Sequence, residues 1–426
     1  MSLTLRNGSR VSIVGGGPAG SFAALHLLRL AESRGLTLEV LIFEPRDFRK
    51  LGPSGCNRCA GILSSRLLAS LAALGLTLPP EVIQGYIRAY AVHLDGEVYP
   101  IEAPRSDSEI VSVYRGGGPR MGFTGRVASF DSFLLEQART AGARHVSERV
   151  HRVSWDQGPV VHTGSQVIPA DLVVLATGVN ARPPLDPKFG YTLPRTDVMA
   201  QDEILRPSDW PNDVVRTYFR QPRGLMFGAL IPKGEYLNIS LLGTGLTADA
   251  VPDFLEAQGL SPSIPIPPGS LCGCTPRIAV RPAERFFGNH WVAVGDAAVT
   301  RLYKDGIGSA YTTAQAAMET AIGRGVGEAD FRRHYAPACR RIAQDNVFGY
   351  WMFRLWSRAL NYPRLLDAWK ATLREEAGGI SRSRTHMRIL WGMFTGDEAY
   401  GILLLQALSA DSLRSIWRAF WRSRDG

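Results

Sequence analysis

Three glycines near the amino terminus stand at the spacing that holds the phosphates of a dinucleotide. Gly15, Gly17 and Gly20 follow an apolar, strand-like run and precede a helix-forming stretch. The first glycine allows a sharp turn, the second lets the backbone approach a pyrophosphate, and the third lets helix and strand pack closely. Pro18 and Ala19 complete the turn, where the unpaired N–H groups of a helix start attract an anion.

An acidic residue closes the next strand-like run. Glu44 lies 24 residues after Gly20 and directly follows the apolar run 38–43. A carboxylate at this place accepts hydrogen bonds from the two hydroxyls of a ribose. The strand, the glycine-rich turn, the helix and the acid together predict a dinucleotide-binding site.

Two later segments have the pattern of further strand ends that meet the same ligand. The buried-strand pattern 171–175 runs into Ala-Thr-Gly, and the pattern 291–294 runs into Gly-Asp. A glycine-rich helix start follows the second segment, and its dipole would point back at the ligand. The candidate ligand-binding residues of these segments are Thr177, Gly178, Gly295, Asp296, Gly306, Ile307 and Gly308.

Together with the glycine-rich turn, these segments resemble the flavoprotein superfamily that includes para-hydroxybenzoate hydroxylase and geranylgeranyl reductase. The resemblance covers roughly residues 10–330 and implies FAD as the cofactor. By this resemblance Asp296 binds the ribityl chain of FAD, and the helix start at residues 306–308 faces the pyrimidine edge of the flavin.

A further match lies in residues 126–134, which resemble the family's arginine followed by a Phe-Asp-x-x-Leu helix. The resemblance places Arg126 against the FAD phosphates or the flavin. The alternative is a surface arginine that caps the helix.

A second glycine-rich stretch at residues 114–121 imitates the fingerprint, but Met121 stands where the third glycine belongs and no apolar helix follows. We therefore predict no separate NAD(P)-binding domain. NAD(P)H would have to dock transiently, or another external donor would supply the electrons.

The order of the elements predicts an α/β fold. We expect a Rossmann-type FAD-binding domain interleaved with an antiparallel β-sheet substrate domain, followed by a C-terminal helical region. The expected FAD-binding domain comprises residues 1–75, 110–185 and 276–330, the substrate domain residues 76–109 and 186–275, and the helical region residues 331–426. The runs 86–94, 215–220, 224–235 and 236–242 are predicted strands or strand–turn–strand units of the substrate domain.

Four of the five cysteines form two close pairs, a Cys-x-x-Cys and a Cys-x-Cys. Cys56 and Cys59 lie on the loop that carries a cysteine against the flavin ring in geranylgeranyl reductases, so by resemblance Cys59, or else Cys56, lies close to the isoalloxazine. Cys272 and Cys274 precede the Gly-Asp strand. A four-thiolate zinc site, a redox or structural thiol pair near the flavin and cysteines without chemistry remain open, and we assign no metal. Cys339 is expected to be inert.

The carboxyl-terminal region is basic and rich in tryptophan. From residue 331 onward, 15 Arg and one Lys stand against eight acidic residues, while the whole chain has a net charge of +9. Six of the nine tryptophans also lie there. In the last predicted helix, apolar residues and arginines form separate rows, which is typical of a helix that lies at a membrane surface.

Three roles remain open for this region. The helices pack their aromatic stripe on the flavin domain, or they contact an anionic membrane surface, or they bind nucleic acid; no recognition motif supports specific nucleic-acid binding. No run of about 18 apolar residues is present that could span a bilayer, and Met1 to Arg10 lacks the apolar core of a secretory signal. We expect a cytoplasmic protein, either free or at the inner face of the membrane.

The resemblance implies an FAD-dependent oxidoreductase. A reductase of the geranylgeranyl reductase type would use reduced flavin to transfer a hydride to a double bond of an isoprenoid or other hydrophobic substrate. The alternatives are an FAD-dependent monooxygenase on a hydrophobic or aromatic substrate and a membrane-associated flavoprotein electron carrier. Besides Cys59, the candidate catalytic residues are Tyr303, Lys304 and Asp305, which stand beside the expected flavin edge.

Overall fold

The glycine-rich segment connects the first strand to the first helix. The computed structural model describes residues 3–56, 59–104, 109–120, 128–219, 222, 224–379 and 384–422. Gly17 precedes the first helix, and Pro18 is its first residue. Proline is favoured at this position because its missing N–H would have no partner in the first turn of a helix. The local strand–helix–strand unit is the one that the glycine spacing predicts.

The described residues form a mixed α/β structure. The strands are β1 (Arg10–Val14), β2 (Glu39–Phe43), β3 (Ile62–Leu63), β4 (Ile83–Tyr86), β5 (Ala89–Leu94), β6 (Glu97–Glu102), β7 (Val111–Val113), β8 (Arg144–Val146), β9 (Arg152–Asp156), β10 (Gly158–His162), β11 (Val167–Pro169), β12 (Leu172–Leu175), β13 (Thr196–Leu205), β14 (Val214–Tyr218), β15 (Leu225–Lys233), β16 (Tyr236–Gly243), β17 (Arg277–Ala279), β18 (Phe287–Gly288) and β19 (Trp291–Ala293). The helices are α1 (Pro18–Glu32), α2 (Ser65–Ala73), α3 (Phe130–Thr140), α4 (Ala250–Ala257), α5 (Gly306–Gly323), α6 (Glu328–Asp330), α7 (Ala336–Asn361), α8 (Pro363–Ala377), α9 (Thr385–Thr395), α10 (Tyr400–Ala407) and α11 (Ala410–Arg422).

The first sheet has the strand order β18-β19-β12-β1-β2-β8. Its pairs are parallel except β18 with β19. All four residues of β12 are buried, which is expected of a strand covered on both faces. Helices α1 and α5 contribute Phe22 and Ala314 to the core under this sheet. The carboxyl ends of β1, β2 and β12 meet at one edge, where open α/β sheets bind their ligands.

The second sheet has the order β17-β13-β16-β15-β14-β5-β6. It is antiparallel except for the pair β5 and β14, which is parallel. The chain leaves this sheet after β6, builds part of the first sheet, and returns at β13. Strands β5 and β14 are therefore not joined by a hairpin and need not run in opposite directions. The predicted fold class, a Rossmann-type sheet combined with a largely antiparallel second sheet, is confirmed.

Two details of the second sheet differ from the sequence expectations. The predicted strand over residues 86–94 is two strands, because the N–H groups of Ile87 and Arg88 bond to Ile110 and Asp213 and the chain changes sheets there. Strand β17 pairs with β13 and so belongs to the second sheet, although the expected domain boundary before residue 276 assigned it to the first.

The carboxyl-terminal helices cover one face of the second sheet. Trp391, Phe394 and Leu403 of α9 and α10 share a core with Tyr90 and Val92 of β5. The other face of the sheet packs on α4 through Phe254. Among the described residues, no helix is long and apolar enough to cross a membrane.

Candidate cofactor and substrate site

A large cavity lies where the carboxyl ends of β1, β2 and β12 face the second sheet and helices α7 and α9. Its volume is about 730 Å³, within the range of about 300–1,000 Å³ that is usual for ligand pockets. The predicted site residues that line it are Gly15, Gly17, Pro18, Ala19, Glu44, Cys56, Cys59, Thr177, Gly178, Asp296, Tyr303, Lys304, Asp305, Gly306 and Ile307. The fold thus brings together segments that are far apart in the sequence.

Three predicted glycines do not line the cavity but pack behind residues that do. A Cβ at Gly20 would overlap the carbonyl oxygen of Gly15, and one at Gly295 would lie 2.7 Å from Cβ of Ala19. A Cβ at Gly308 would collide with the carboxylate of Asp305. Arg126, the predicted phosphate-binding arginine, lies outside the residues that the structure describes.

The turn after β1 requires glycine at its first position. Gly15 has φ of +110°, and a Cβ there would lie 2.5 Å from the carbonyl oxygen of Ala176 at the end of β12. A side chain is therefore excluded both by the backbone conformation and by the neighbouring strand. No side chain of Gly15 therefore covers the backbone just before α1 begins.

Glu44 supports the glycine-rich turn directly. Its Oε2 accepts a hydrogen bond from the backbone N–H of Gly16 at 3.1 Å, and its Oε1 accepts one from the backbone N–H of Arg46 at 3.0 Å. A Cβ at Gly16 would lie 2.6 Å from Cβ of Glu44. The glycine spacing alone indicates no role for Gly16, whose close approach to Glu44 lets this acid line the cavity.

A buried ion pair that the sequence analysis missed supports the cavity wall. Arg115, which lines the cavity, donates from Nε to Asp131 Oδ1 at 2.5 Å and from Nη2 to Asp131 Oδ2 at 2.9 Å. The Arg115 guanidinium also hydrogen-bonds the Cys59 sulfur. The sequence does contain an indication of this pair. Asp131 lies in the first turn of a helix that also carries core residues, and a buried aspartate needs a partner.

The second glycine-rich stretch packs against the loop before β3. A Cβ at Gly116 would lie 2.7 Å from the backbone nitrogen of Cys56, and one at Gly117 would overlap the carbonyl oxygen of Arg49. These glycines allow two loops to approach each other, and so position Cys56 and Arg115 at the cavity wall.

Polar groups at the ends of β12 and β19 are left for a ligand. Thr177 Oγ1 is buried and has no hydrogen-bond partner among the described residues. Burial raises the pKa of Asp296 above its ordinary value, and the charge of Arg115 opposes this shift. A bound molecule with hydroxyl donors would satisfy both groups.

The three candidate catalytic residues before α5 have different surroundings. Asp305 Oδ1 accepts a hydrogen bond from the N–H of Gly308 at 3.0 Å and caps α5, and burial raises its pKa to about 6. The Tyr303 hydroxyl donates to Asp197 Oδ2 at 2.9 Å. Lys304 Nζ lies 4.4 Å from the centroid of the Phe227 ring, and burial lowers its pKa to about 8.

The part of the cavity beyond these residues is lined by aromatic side chains. The rings of Phe227 and Phe394 stack with centroids 5.6 Å apart, and Phe219 contacts Phe227 and Trp356 at 5.6 and 5.3 Å. Phe353 and Met393 also line it. Such a surface binds apolar groups through contact area.

The cysteines separate into two places. Cys56 and Cys59 line the cavity, whereas Cys272 hydrogen-bonds Cys274, and this bond together with burial raises the pKa of the Cys272 thiol. Asp202 accepts the backbone N–H groups of Cys272 and the next residue at 3.0 and 2.7 Å. None of the five cysteines forms a disulfide. Within the described ranges, no three residues of the metal-ligating types come together to hold an ion.

Solved structures of flavoproteins share this architecture. A geranylgeranyl bacteriochlorophyll reductase-like protein from Thermoplasma acidophilum is 17% identical over 97% of this chain and 96% of that chain, with a TM-score of 0.63. A 2-methyl-3-hydroxypyridine-5-carboxylic acid oxygenase is 16% identical over 87% of this chain and 96% of that chain, with a TM-score of 0.57. A variant of HpxO from Klebsiella pneumoniae, solved with FAD, is 17% identical over 96% of this chain and 99% of that chain, with a TM-score of 0.55.

No family model matches the sequence, and the search of curated proteins gives no match. At 16–17% identity, the likeness to the solved structures concerns the fold. The resemblance predicted from the sequence is confirmed at that level: the chain has the fold that the geranylgeranyl reductase-like protein shares with the oxygenase and the FAD-bound HpxO.

Proposed function

We propose that this chain is an FAD-dependent oxidoreductase that reduces double bonds of an isoprenoid or other hydrophobic substrate. The proposal depends on one observation: a single cavity is lined by a glycine-rich turn in one part and by aromatic side chains in another. The glycine-rich turn after β1 forms one part, and Phe227, Trp356 and Phe394 form another. A dinucleotide and an apolar chain can therefore meet in the same cavity.

The residues at the glycine-rich part fit FAD. A pyrophosphate would lie at the bare backbone around Gly15 and Gly17, next to the first turn of α1. Glu44 would hold the adenosine ribose, while Asp296 and the unpartnered hydroxyl of Thr177 offer hydrogen bonds to the remaining polar chain. Bound and reduced FAD would supply the hydride chemistry. NAD(P)H or another external donor would provide the electrons.

The aromatic part of the cavity would hold the substrate. Because its side chains come from the second sheet and from α7 and α9, they enclose an apolar molecule on several sides. Excluding water from this part favours a substrate without charges and protects the reacting carbon atoms from side reactions.

We propose Lys304 as the donor of the proton that is added, together with the hydride, to the double bond of the substrate. Its Nζ lies at the boundary between the two parts of the cavity, over the ring of Phe227. A pKa of about 8 is close to the operating pH, which suits a general acid. Asp305 is engaged as the cap of α5, and the Tyr303 hydroxyl donates a hydrogen bond to Asp197. We propose that these two residues position the loop rather than transfer the proton.

Two other activities are alternatives to the reductase. A monooxygenase on a hydrophobic or aromatic substrate would need the same cavity, and the fold of an oxygenase matches the chain. An electron carrier would not need the aromatic part of the cavity, which is the reason we place it last.

The reductase and the monooxygenase can be separated with purified protein. The bound FAD is reduced chemically under anaerobic conditions and mixed with a geranylgeranyl lipid, while flavin absorbance is followed. A parallel sample of reduced protein is mixed with aerated buffer in the presence of the lipid.

The proposal expects anaerobic reoxidation of the flavin by the lipid and a product heavier by two hydrogen atoms for each turnover. No reoxidation by the lipid, together with an oxygenated product in air, would reject the reductase in favour of the monooxygenase.

A further inference from the structure

Exposed apolar side chains are concentrated in the carboxyl-terminal helices. Thirteen of the 21 exposed large hydrophobic residues in the described part of the chain lie between residues 347 and 421. They are Val347, Phe348, Tyr350, Trp351, Leu355, Tyr362, Leu365, Ile402, Leu405, Leu408, Leu413, Trp417 and Trp421. We call these residues the apolar terminal surface. Large contiguous patches of exposed apolar residues mark contact sites on protein surfaces.

Helix α11 presents its apolar row to the outside. Ser412 and Ala419 are its buried residues, and the helix packs mainly on α8. Leu413, Trp417 and Trp421 recur at a spacing of four residues and are exposed, Trp417 by 62%. The sequence pattern left open whether this aromatic row packs on the flavin domain, and the structure turns two of its tryptophans towards solvent.

Buried hydrogen bonds fix the orientation of α11. Glu376 Oε1 of α8 lies 2.9 Å from His386 Nδ1 of α9, and His386 Nε2 lies 3.1 Å from Ser412 Oγ. Hydrolases use the same three residue types, but here Ser412 is only 2% exposed and none of the three lines the cavity. These two hydrogen bonds connect α8, α9 and α11. They keep the Ser412 side of α11 buried, so the side that carries Trp417 is exposed.

Helix α7 connects the apolar terminal surface to the cavity. Phe353 and Trp356 line the cavity, while Trp351 and Leu355 are exposed. At 100° per residue these two pairs lie on opposite sides of the helix. Helix α7 itself therefore separates the exposed surface from the apolar part of the cavity.

Arginines accompany the exposed apolar residues. On α7, Arg354 and Arg358 are exposed and fall on the same side as Trp351 and Leu355. On α11, Arg414, Arg418 and Arg422 form a second exposed row, in which Arg414 pairs with Asp411 and Arg422 pairs with Glu375. Aromatic rings and arginines side by side match the two layers of a bilayer surface, the acyl boundary and the anionic headgroups.

We propose that the apolar terminal surface docks on an anionic lipid bilayer, with the rings of α7 and α11 at headgroup depth and the arginine rows on the phosphates. A second copy of the chain fits less well, because a two-fold interface would bring the same arginine rows against each other. The inference goes beyond the proposed reaction, since docking is measured without turnover.

Vesicle sedimentation of the full chain tests the proposal. One set of vesicles contains phosphatidylcholine alone, and the other contains phosphatidylcholine with phosphatidylglycerol. The apolar variant is Trp417→Ser with Trp421→Ser, and its control is Tyr86→Ser, an exposed aromatic residue of β4. The charge variant is Arg418→Glu, and its control is Arg6→Glu, which changes the net charge equally at an exposed position outside this region.

We expect the wild type to bind the anionic vesicles and to bind neutral ones at least tenfold more weakly. Arg418→Glu should weaken binding to anionic vesicles by about fivefold or more, and the double tryptophan variant by about tenfold. Both controls should bind like the wild type. Added salt should weaken binding, because it screens the arginines.

Three results would overturn the proposal. The first is wild-type protein that does not bind anionic vesicles, and the second is equal binding of wild type and both test variants. The third is a wild-type dimer, seen by light scattering, that the tryptophan variant converts to monomer without any vesicle binding. Thermal unfolding midpoints of all variants within about 2 °C of the wild type would show that the surface changes leave the fold intact.

Discussion

Arg115 and Asp131 form a two-bond ion pair that closes the wall of the cavity beside Cys59. The two hydrogen bonds measure 2.5 and 2.9 Å, and Asp131 is fully buried at the start of α3. The pair joins the segment after β7 to the helix that follows it in the chain. The cavity wall therefore depends on a charge that has no access to water.

Replacing Asp131 by Asn should destabilise the protein by about 3 kcal/mol, because the buried guanidinium of Arg115 loses its counter-charge. Denaturant unfolding measures the change. The matched control is Asp186→Asn, which breaks the pair of Asp186 with the exposed Arg152 and should cost about 1 kcal/mol or less. Equal losses for the two variants would show that burial of the Arg115 pair is unimportant.

Replacing Gly20 by Ala should abolish stable FAD binding. The new Cβ would overlap the carbonyl oxygen of Gly15 and displace the turn after β1. Fluorescence titration of the apoprotein with FAD measures the effect, for which we expect at least about a hundredfold loss of affinity. Gly164→Ala is the control, because a Cβ there has open space around it. Unchanged FAD affinity in the Gly20 variant would contradict the assignment of the glycine-rich turn after β1 as the FAD-binding segment.

Lys304 should give the reduction a pH dependence. If its ammonium donates the proton, the rate falls as the pH rises through about 8, the value to which burial lowers its pKa. Lys304→Gln should reduce kcat by about a hundredfold or more and remove this decline, while KM changes little. Lys188→Gln, at an exposed position, is the control. A Gln variant that keeps the wild-type pH profile would exclude Lys304 as the donor.

Asp305 should make the stability of the protein fall with rising pH. Burial raises its pKa from 3.8 to about 6, so the folded state holds the proton more tightly than the unfolded state between these values. Stability is therefore lost as the pH rises through this range. Asp305→Asn keeps a capping side chain for α5 and removes the charge.

We expect the Asn variant to be more stable than wild type at pH 7.5, by about 2 kcal/mol, and equally stable at pH 4. Urea unfolding at the two pH values checks this. A variant that is less stable than wild type at both values would show that the ionised carboxylate is needed for the fold.

Local features of the structure followed from the sequence. The β1–α1 turn is encoded by neighbouring residues: Gly15 supplies the backbone conformation, Gly20 the close approach and Pro18 the first helical position. Because these effects need no distant partner, the spacing alone predicts them. The same holds for the strand–turn–strand unit formed by β15 and β16.

Features that depend on partners far away in the sequence could not be predicted from it. The break at Ile87 and Arg88 arises from hydrogen bonds to residues 110 and 213, which no local pattern contains. The importance of Arg115 depends on its burial against α3. The exposure of Trp417 depends on where α8 and α9 hold α11, since an amphipathic row fits a buried or an exposed face equally well.

In the proposed reaction, one cavity holds both FAD and a hydrophobic substrate. A crystal structure of the protein with FAD and a geranylgeranyl lipid is the test of this claim. We predict the pyrophosphate at residues 15–20 and the prenyl chain between Phe227, Trp356 and Phe394. A flavin outside the glycine-rich turn, or a prenyl chain bound elsewhere while the aromatic part of the cavity stays filled with water, would contradict the claim.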